Sequence, residues 1–97
     1  MERNAQVDFT LINQAVQAHA AEFCQKHLPG GRIVGNEYVV GDIHGGPGDS
    51  CRVNLTSGKW ADFAGAEKGG DLISLRAAQC GVSQVEAAHE LAREHAL

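Results

Sequence analysis

Basic and aromatic side chains occur close together in the middle of this chain, and they suit contact with nucleic acid. Lys59 and Trp60 are adjacent, and Arg52 and Lys68 lie in the segments on either side. Lys and Arg neutralise phosphates, and an aromatic ring offers a surface on which a base of a single strand can stack. Together with Arg32, these residues form our candidate nucleic-acid-binding set.

Two parts of this set have a second interpretation. Trp60 is the only Trp among five aromatic residues, and a small domain favours its largest side chain in the core. The segment Lys68–Asp71 could expose N–H groups to a phosphate at a helix start, or it could be a tight turn in which Asp71 favours the positive end of the helix dipole. The sequence leaves both alternatives open.

The composition limits the classes of protein to consider. With 97 residues, 43% of them hydrophobic and 21% charged, we expect one globular domain over 1–97 that does not span a membrane. Cys24, Cys51 and Cys80 have no Cys-x-x-Cys spacing, which predicts reduced thiols. Met1–Thr10 lacks the apolar run of a secretory signal, so we expect a cytoplasmic location. The net charge of −4 means that any DNA contact requires a local basic face.

The residue pattern predicts an α+β fold. Apolar residues at three- or four-residue steps favour helices at both ends of the chain, and β-branched residues with intervening turn signals favour strands in the middle. The predicted elements are a helix over 8–27, two β-hairpins within about 32–63, a Gly-rich loop over Gly65–Gly70, and helices at about 71–80 and 83–96. We expect the two hairpins to form a four-stranded antiparallel ribbon.

From about Gly35 to Ala96 the chain resembles the zinc-binding domain of bacterial and phage DNA primases and primase-helicases. The segments that match the family pattern are Gly41–His44, Cys51–Asn54, Asp62–Ala66 and Gly69–Asp71. The resemblance is closer to zinc-less forms found in mobile-element and prophage primase-helicases, in which segments similar to Lys59–Phe63 and Lys68–Asp71 recur. It implies a zinc-ribbon-like fold that has lost its metal.

Most of the family's zinc ligands are missing here. His44 keeps a ligand type, whereas Gly41, Asp62 and Gly65 stand where the family has cysteines. Because structural zinc needs four N or S donors, we expect no metal, no other cofactor and a fold held by packing. The alternative is a remodelled metal site, whose members would be Asp42, His44, Cys51 and Asp62.

The resemblance implies a non-catalytic module that engages single-stranded template DNA and assists a primase or helicase in phage or mobile-element replication. We expect no enzymatic activity, because no cluster of metal-binding carboxylates is evident. The alternative is a protein-interaction module that docks a helicase or primase partner without direct DNA contact, which the net charge of −4 favours. A small zinc-dependent enzyme is a third possibility, which metal analysis would test.

Overall fold

The computed structural model describes residues 7–97. Residues 1–6 of the predicted 1–97 domain lie outside the described part. They make up most of the Met1–Thr10 segment, whose composition argues against a secretory signal. The elements within it are α1 (Phe9–Gln17), α2 (Ala20–His27), β1 (Arg32–Val34), β2 (Glu37–Val40), β3 (Cys51–Asn54), β4 (Trp60–Asp62), β5 (Glu67–Gly69), α3 (Leu72–Cys80) and α4 (Gln84–Glu94). The predicted α+β class is confirmed, although residues 7–97 hold five strands and four helices where the sequence predicted four and three.

The strands form one antiparallel sheet in the order β1-β2-β3-β4-β5, so each strand pairs with its neighbours in the chain. Both predicted hairpins are confirmed, with Ile33 opposite Tyr38 and Val53 opposite Trp60. Gly35, at φ +60, allows the tight turn between β1 and β2. Because Tyr38 also lies opposite Val53, the two hairpins join into one continuous sheet.

The fifth strand corrects the predicted loop over Gly65–Gly70. β5 pairs with β4, and Gly69 lies opposite Trp60. A Cβ atom at Gly69 would lie 2.5 Å from the Trp60 Nε1 atom, so only glycine allows the backbone this close to the indole. The glycine therefore reflects close packing against a large side chain and does not interrupt the strand.

The first predicted helix, 8–27, is divided in the structure. It is interrupted at Ala18 and His19, which separate α1 from α2. Neither residue is Gly or Pro, and the apolar spacing continues across the break, so periodicity alone predicts a single helix. After the break, α2 buries Phe23 and Cys24 in the common core.

The last two predicted helices are confirmed, and their ends follow from local hydrogen bonds. Asp71 Oδ1 accepts a 2.7 Å hydrogen bond from Ser74 N, which caps the start of α3. Gly81, at φ +67, ends α3 in the left-handed conformation. Ser83 Oγ accepts a 3.1 Å hydrogen bond from Glu86 N at the start of α4.

The helices lie against one face of the sheet. α3 packs against β5, and α1 and α4 pack together and against α3. Side chains from both layers form one hydrophobic core, to which the sheet contributes Tyr38, Val40, Cys51, Val53 and Trp60. The opposite face of the sheet carries polar and basic side chains that are exposed in the described part of the chain. We call it the open face.

Candidate nucleic-acid interface

One row of residues crosses the whole open face. Arg32 lies opposite Val39, Val39 opposite Arg52, Arg52 opposite Ala61 and Ala61 opposite Lys68. Directly opposed residues in a sheet project to the same side, so three predicted cations share this face. At about 4.8 Å between strands, the row is about 19 Å long.

Val39 is buried although it lies in the row that crosses the open face. It is only 1% exposed, yet it does not belong to the hydrophobic core formed with the helices. Its row neighbours are Arg32 on one side and Arg52 on the other. The aliphatic stems of arginines can cover an apolar neighbour while their charged ends stay in water, which is consistent with the burial of Val39 between them.

Lys59 and Phe63 extend the open face beyond this row. Asn54 N donates a 2.8 Å hydrogen bond to Lys59 O, which continues the β3–β4 pairing and places Lys59 on the same side as Arg52. Phe63 follows β4 and is 72% exposed. These side chains surround a shallow hollow of about 250 Å³, lined by Glu37, Arg52, Asn54, Lys59, Trp60, Ala61 and Phe63.

Trp60 belongs to the other face, and its predicted role as a stacking surface needs correction. It is 4% exposed, and its indole Nε1 donates a 3.0 Å hydrogen bond to Ser74 Oγ. The exposed aromatic ring on the open face is Phe63, which is not among the residues predicted from the sequence. The signal was available, because alternation in a strand puts Lys59 and Phe63 on one face and Trp60 on the other.

The open face is basic although the whole chain has a net charge of −4. Arg52 Nη1 lies 3.2 Å from Glu37 Oε1, in an exposed ion pair. Arg32 Nη1 donates a long 3.4 Å hydrogen bond to Gly48 O. Within residues 7–97, the side-chain amines of Lys59 and Lys68 have no hydrogen-bond or ion-pair partner. The open face therefore carries all four predicted cations. Among the residues that line its hollow, Glu37 is the single carboxylate.

Two turns at one end of the sheet contain the positions where the resembled family has zinc ligands. Asp62, the last residue of β4 before the second turn, is 3% exposed. Its Oδ1 accepts from Ala64 N at 3.0 Å and Gly65 N at 3.2 Å, while its Oδ2 accepts from Ile43 N of the first turn at 3.2 Å. One buried carboxylate thus ties the two turns together. At Gly41, a Cβ atom would lie 2.5 Å from the Pro47 carbonyl oxygen, so this position has no room for a cysteine.

The remodelled metal site that the sequence left open finds no support in the geometry. No three His, Cys, Asp or Glu side chains within residues 7–97 form a group that could hold a metal ion. Burial, followed by the nearby charges of Asp62 and Asp42, raises the pKa of the Cys51 thiol to about 12. A thiol with this pKa stays protonated at neutral pH. His44 lies exposed on the first turn.

The segment Lys68–Asp71 consists of the last two residues of β5 and the short connection into α3. Asp71 accepts hydrogen bonds from Ser74 N and, at 3.1 Å, from Asn13 Nδ2. The carboxylate of Asp71 therefore occupies the helix start that a phosphate would need. Lys68 contributes instead to the open face.

Among residues 7–97, every helix is too short or too polar to cross a lipid bilayer. No protein-family model, no curated protein and no solved structure matches this chain.

Proposed function

We propose that this chain is a non-catalytic module that binds single-stranded DNA through its open face. The observation that carries the proposal is the basic row Arg32–Arg52–Lys68 on a sheet face that no helix covers within residues 7–97. Lys59 adds a fourth cation and Phe63 supplies an exposed ring beside it. Cations along a backbone path and an aromatic stacking surface are the usual means of holding a single strand.

The shape of the open face favours a single strand over a duplex. Five strands span about 19 Å, whereas the major groove of B-DNA is about 12 Å wide and admits a helix or a two-stranded ribbon. This sheet cannot enter that groove with its face. A flexible single strand can lie across the basic row and turn one base toward Phe63.

The biological setting follows from the resemblance given above. We propose that the chain is a zinc-less relative of the zinc-binding domains of primases and primase-helicases, and that it assists a primase or helicase protein or domain in phage or mobile-element replication. We assign no catalysis to the open face. In its hollow the carboxylate of Glu37 pairs with Arg52, and no nucleophile with an adjacent base lines it.

Salt-dependent binding tests this proposal. Fluorescence anisotropy with a labelled oligonucleotide of about 12 nucleotides would measure the affinity from about 50 to 200 mM salt. Four phosphate contacts on a single strand predict a slope of about −2.8 for log K against log salt, and each Lys or Arg replaced by Ala should reduce the slope by about 0.7.

The decisive variant replaces the four cations Arg32, Arg52, Lys59 and Lys68 together by Ala. We expect it to lose most of the affinity, while a matched Arg93→Ala variant, changed at an exposed cation on α4, should bind as the original protein does. Circular dichroism would establish that both variants keep their helices and strands. Equal binding by the fourfold variant and the original protein would refute the proposal.

A second candidate function is docking of a helicase or primase partner without DNA contact. The observation in its favour is β1, an edge strand on which Ile33 and Val34 are each about half exposed. Edge strands with exposed apolar side chains can pair with another chain. The same salt titration separates the two functions, because an apolar contact of this kind should not weaken with salt.

A further inference from the structure

The negative charge of Glu37 is unfavourable on a surface that binds phosphates. Glu37 begins β2, lies opposite Asn54 and lines the hollow of the open face. A carboxylate there repels the DNA backbone and partly neutralises Arg52, which it contacts at 3.2 Å. A surface that only held phosphates would bind more tightly without it. A ligand group that donates hydrogen bonds would give this carboxylate a favourable contact in addition to Arg52.

We propose that the hollow binds a single nucleobase stacked on Phe63, and that Glu37 with Arg52 selects guanine. This inference rests on the proposed binding of single-stranded DNA. The hollow, about 250 Å³, is smaller than the roughly 300–1,000 Å³ of pockets for drug-sized ligands, so it accommodates one planar ring system. Phe63, 72% exposed, offers a ring at its margin.

Guanine is the base whose hydrogen-bonding groups match this pair. It presents two adjacent donors, N1–H and the N2 amino group, to a carboxylate, and it presents the acceptors O6 and N7 to a guanidinium group. The Oε1 atom of Glu37 contacts Arg52, while its other oxygen has no partner within residues 7–97. Lys59, at the same hollow, can supply a further donor to O6 or N7.

The other three bases match less well. Adenine and cytosine each place one amino group beside a ring nitrogen that is itself an acceptor, and thymine flanks its one N–H group with two carbonyl oxygens. A carboxylate that approaches any of these edges meets an acceptor next to the donor. Glu37 therefore attracts guanine and disfavours the others, in addition to its unfavourable effect on phosphates.

A set of four oligonucleotides tests the inference. Each is a run of about 12 thymidines, either unchanged or with one central dG, dA or dC. We expect the dG oligonucleotide to bind the original protein about tenfold more tightly than the other three, since one well-matched pair of hydrogen bonds gives a discrimination of that order. If no oligonucleotide binds at low salt, the proposed function itself fails; equal binding of all four refutes only the guanine inference.

Two variants separate base selection from a structural role. Glu37→Gln should abolish the preference for dG and bind unmodified oligothymidine as tightly as before or more tightly, because a negative charge is gone. Arg52→Lys keeps the charge but not the planar fork, so it should keep the salt slope and lose part of the preference. If Glu37→Gln keeps the preference, or lowers binding of all four oligonucleotides equally, Glu37 does not read the base.

Discussion

Replacing Asp62 by Asn tests whether a buried carboxylate joins the two turns. Asn keeps an oxygen at the position of Oδ1, which accepts from Ala64 N and Gly65 N. At the position of Oδ2 it places an NH₂ group, which faces the Ile43 N–H group across 3.2 Å. Two donors then oppose each other in a site that is 3% exposed. Turning the amide over restores that contact only by breaking the two hydrogen bonds of the second turn.

The size of the effect follows from these hydrogen bonds. Loss of a hydrogen bond to a charged group, with the buried Ile43 donor left unpaired, costs about 2 kcal/mol. Asp62→Ala removes the acceptor for all three donors, and we expect about 3–4 kcal/mol. A domain of this size has a free energy of unfolding of about 5–15 kcal/mol. The Asn variant should therefore remain folded, with its melting temperature lowered by roughly 8–16 °C.

Urea unfolding followed by circular dichroism would measure both variants. Asp42→Asn is a matched control, because Asp42 Oδ1 accepts from His44 N at 2.7 Å in an exposed turn, an acceptor that Asn retains. We expect the control to change the free energy of unfolding by less than about 0.5 kcal/mol. If Asp62→Asn changes it as little as the control does, the carboxylate does not hold the turns together and our account of this end of the sheet is wrong.

Two further predictions concern stability. Gly69→Ala should destabilise the fold by about 1–3 kcal/mol, because its Cβ atom would meet Trp60, whereas Gly70→Ala, with nothing within 4 Å of the added atom, should be nearly neutral in urea unfolding. The hydrogen bond from Arg76 holds the pKa of Glu90 below its usual 4.5. The stabilisation from this pair is therefore complete above that value and is lost as the pH falls through the lower pKa of the folded state. Glu90→Gln should lower stability at pH 7 by about 1 kcal/mol and by less at pH 3, and an equal loss at both pH values would contradict this.

The parts of the fold that the sequence predicts well are those with strong local signals. The side chain of Asp71 caps the start of α3, and Gly81 ends α3 in the left-handed backbone conformation. Both effects act within one turn of the helix. The two hairpins follow from alternating apolar residues around short turns, and their pairing is as predicted. Local chemistry decides these elements almost without reference to the rest of the chain.

The parts that the sequence predicts poorly depend on contacts between distant segments. The sequence of β5 predicts a Gly-rich loop, because the packing of Gly69 against Trp60 is not evident from the sequence. The break at His19 contains no Gly or Pro that would predict it. At the open face, all four predicted cations are placed as one surface, but the aromatic residue was chosen wrongly. Residue type favoured Trp60 as the stacking ring, whereas alternation along the strand places Phe63 on the open face and Trp60 on the other face. The structure follows the alternation, because the larger ring of Trp60 is buried in the core.

The basic row and the two turns are held in place by different interactions. The row is positioned by strand register, and register is fixed by the opposite face, where Tyr38, Val53 and Trp60 lie side by side in the core. A slip of one residue would move these side chains into water. The turns at the end of the sheet are joined by Asp62. The spacing of Arg32, Arg52 and Lys68 is therefore set by the core face of the sheet, and the contacts of Asp62 that join the turns do not determine it.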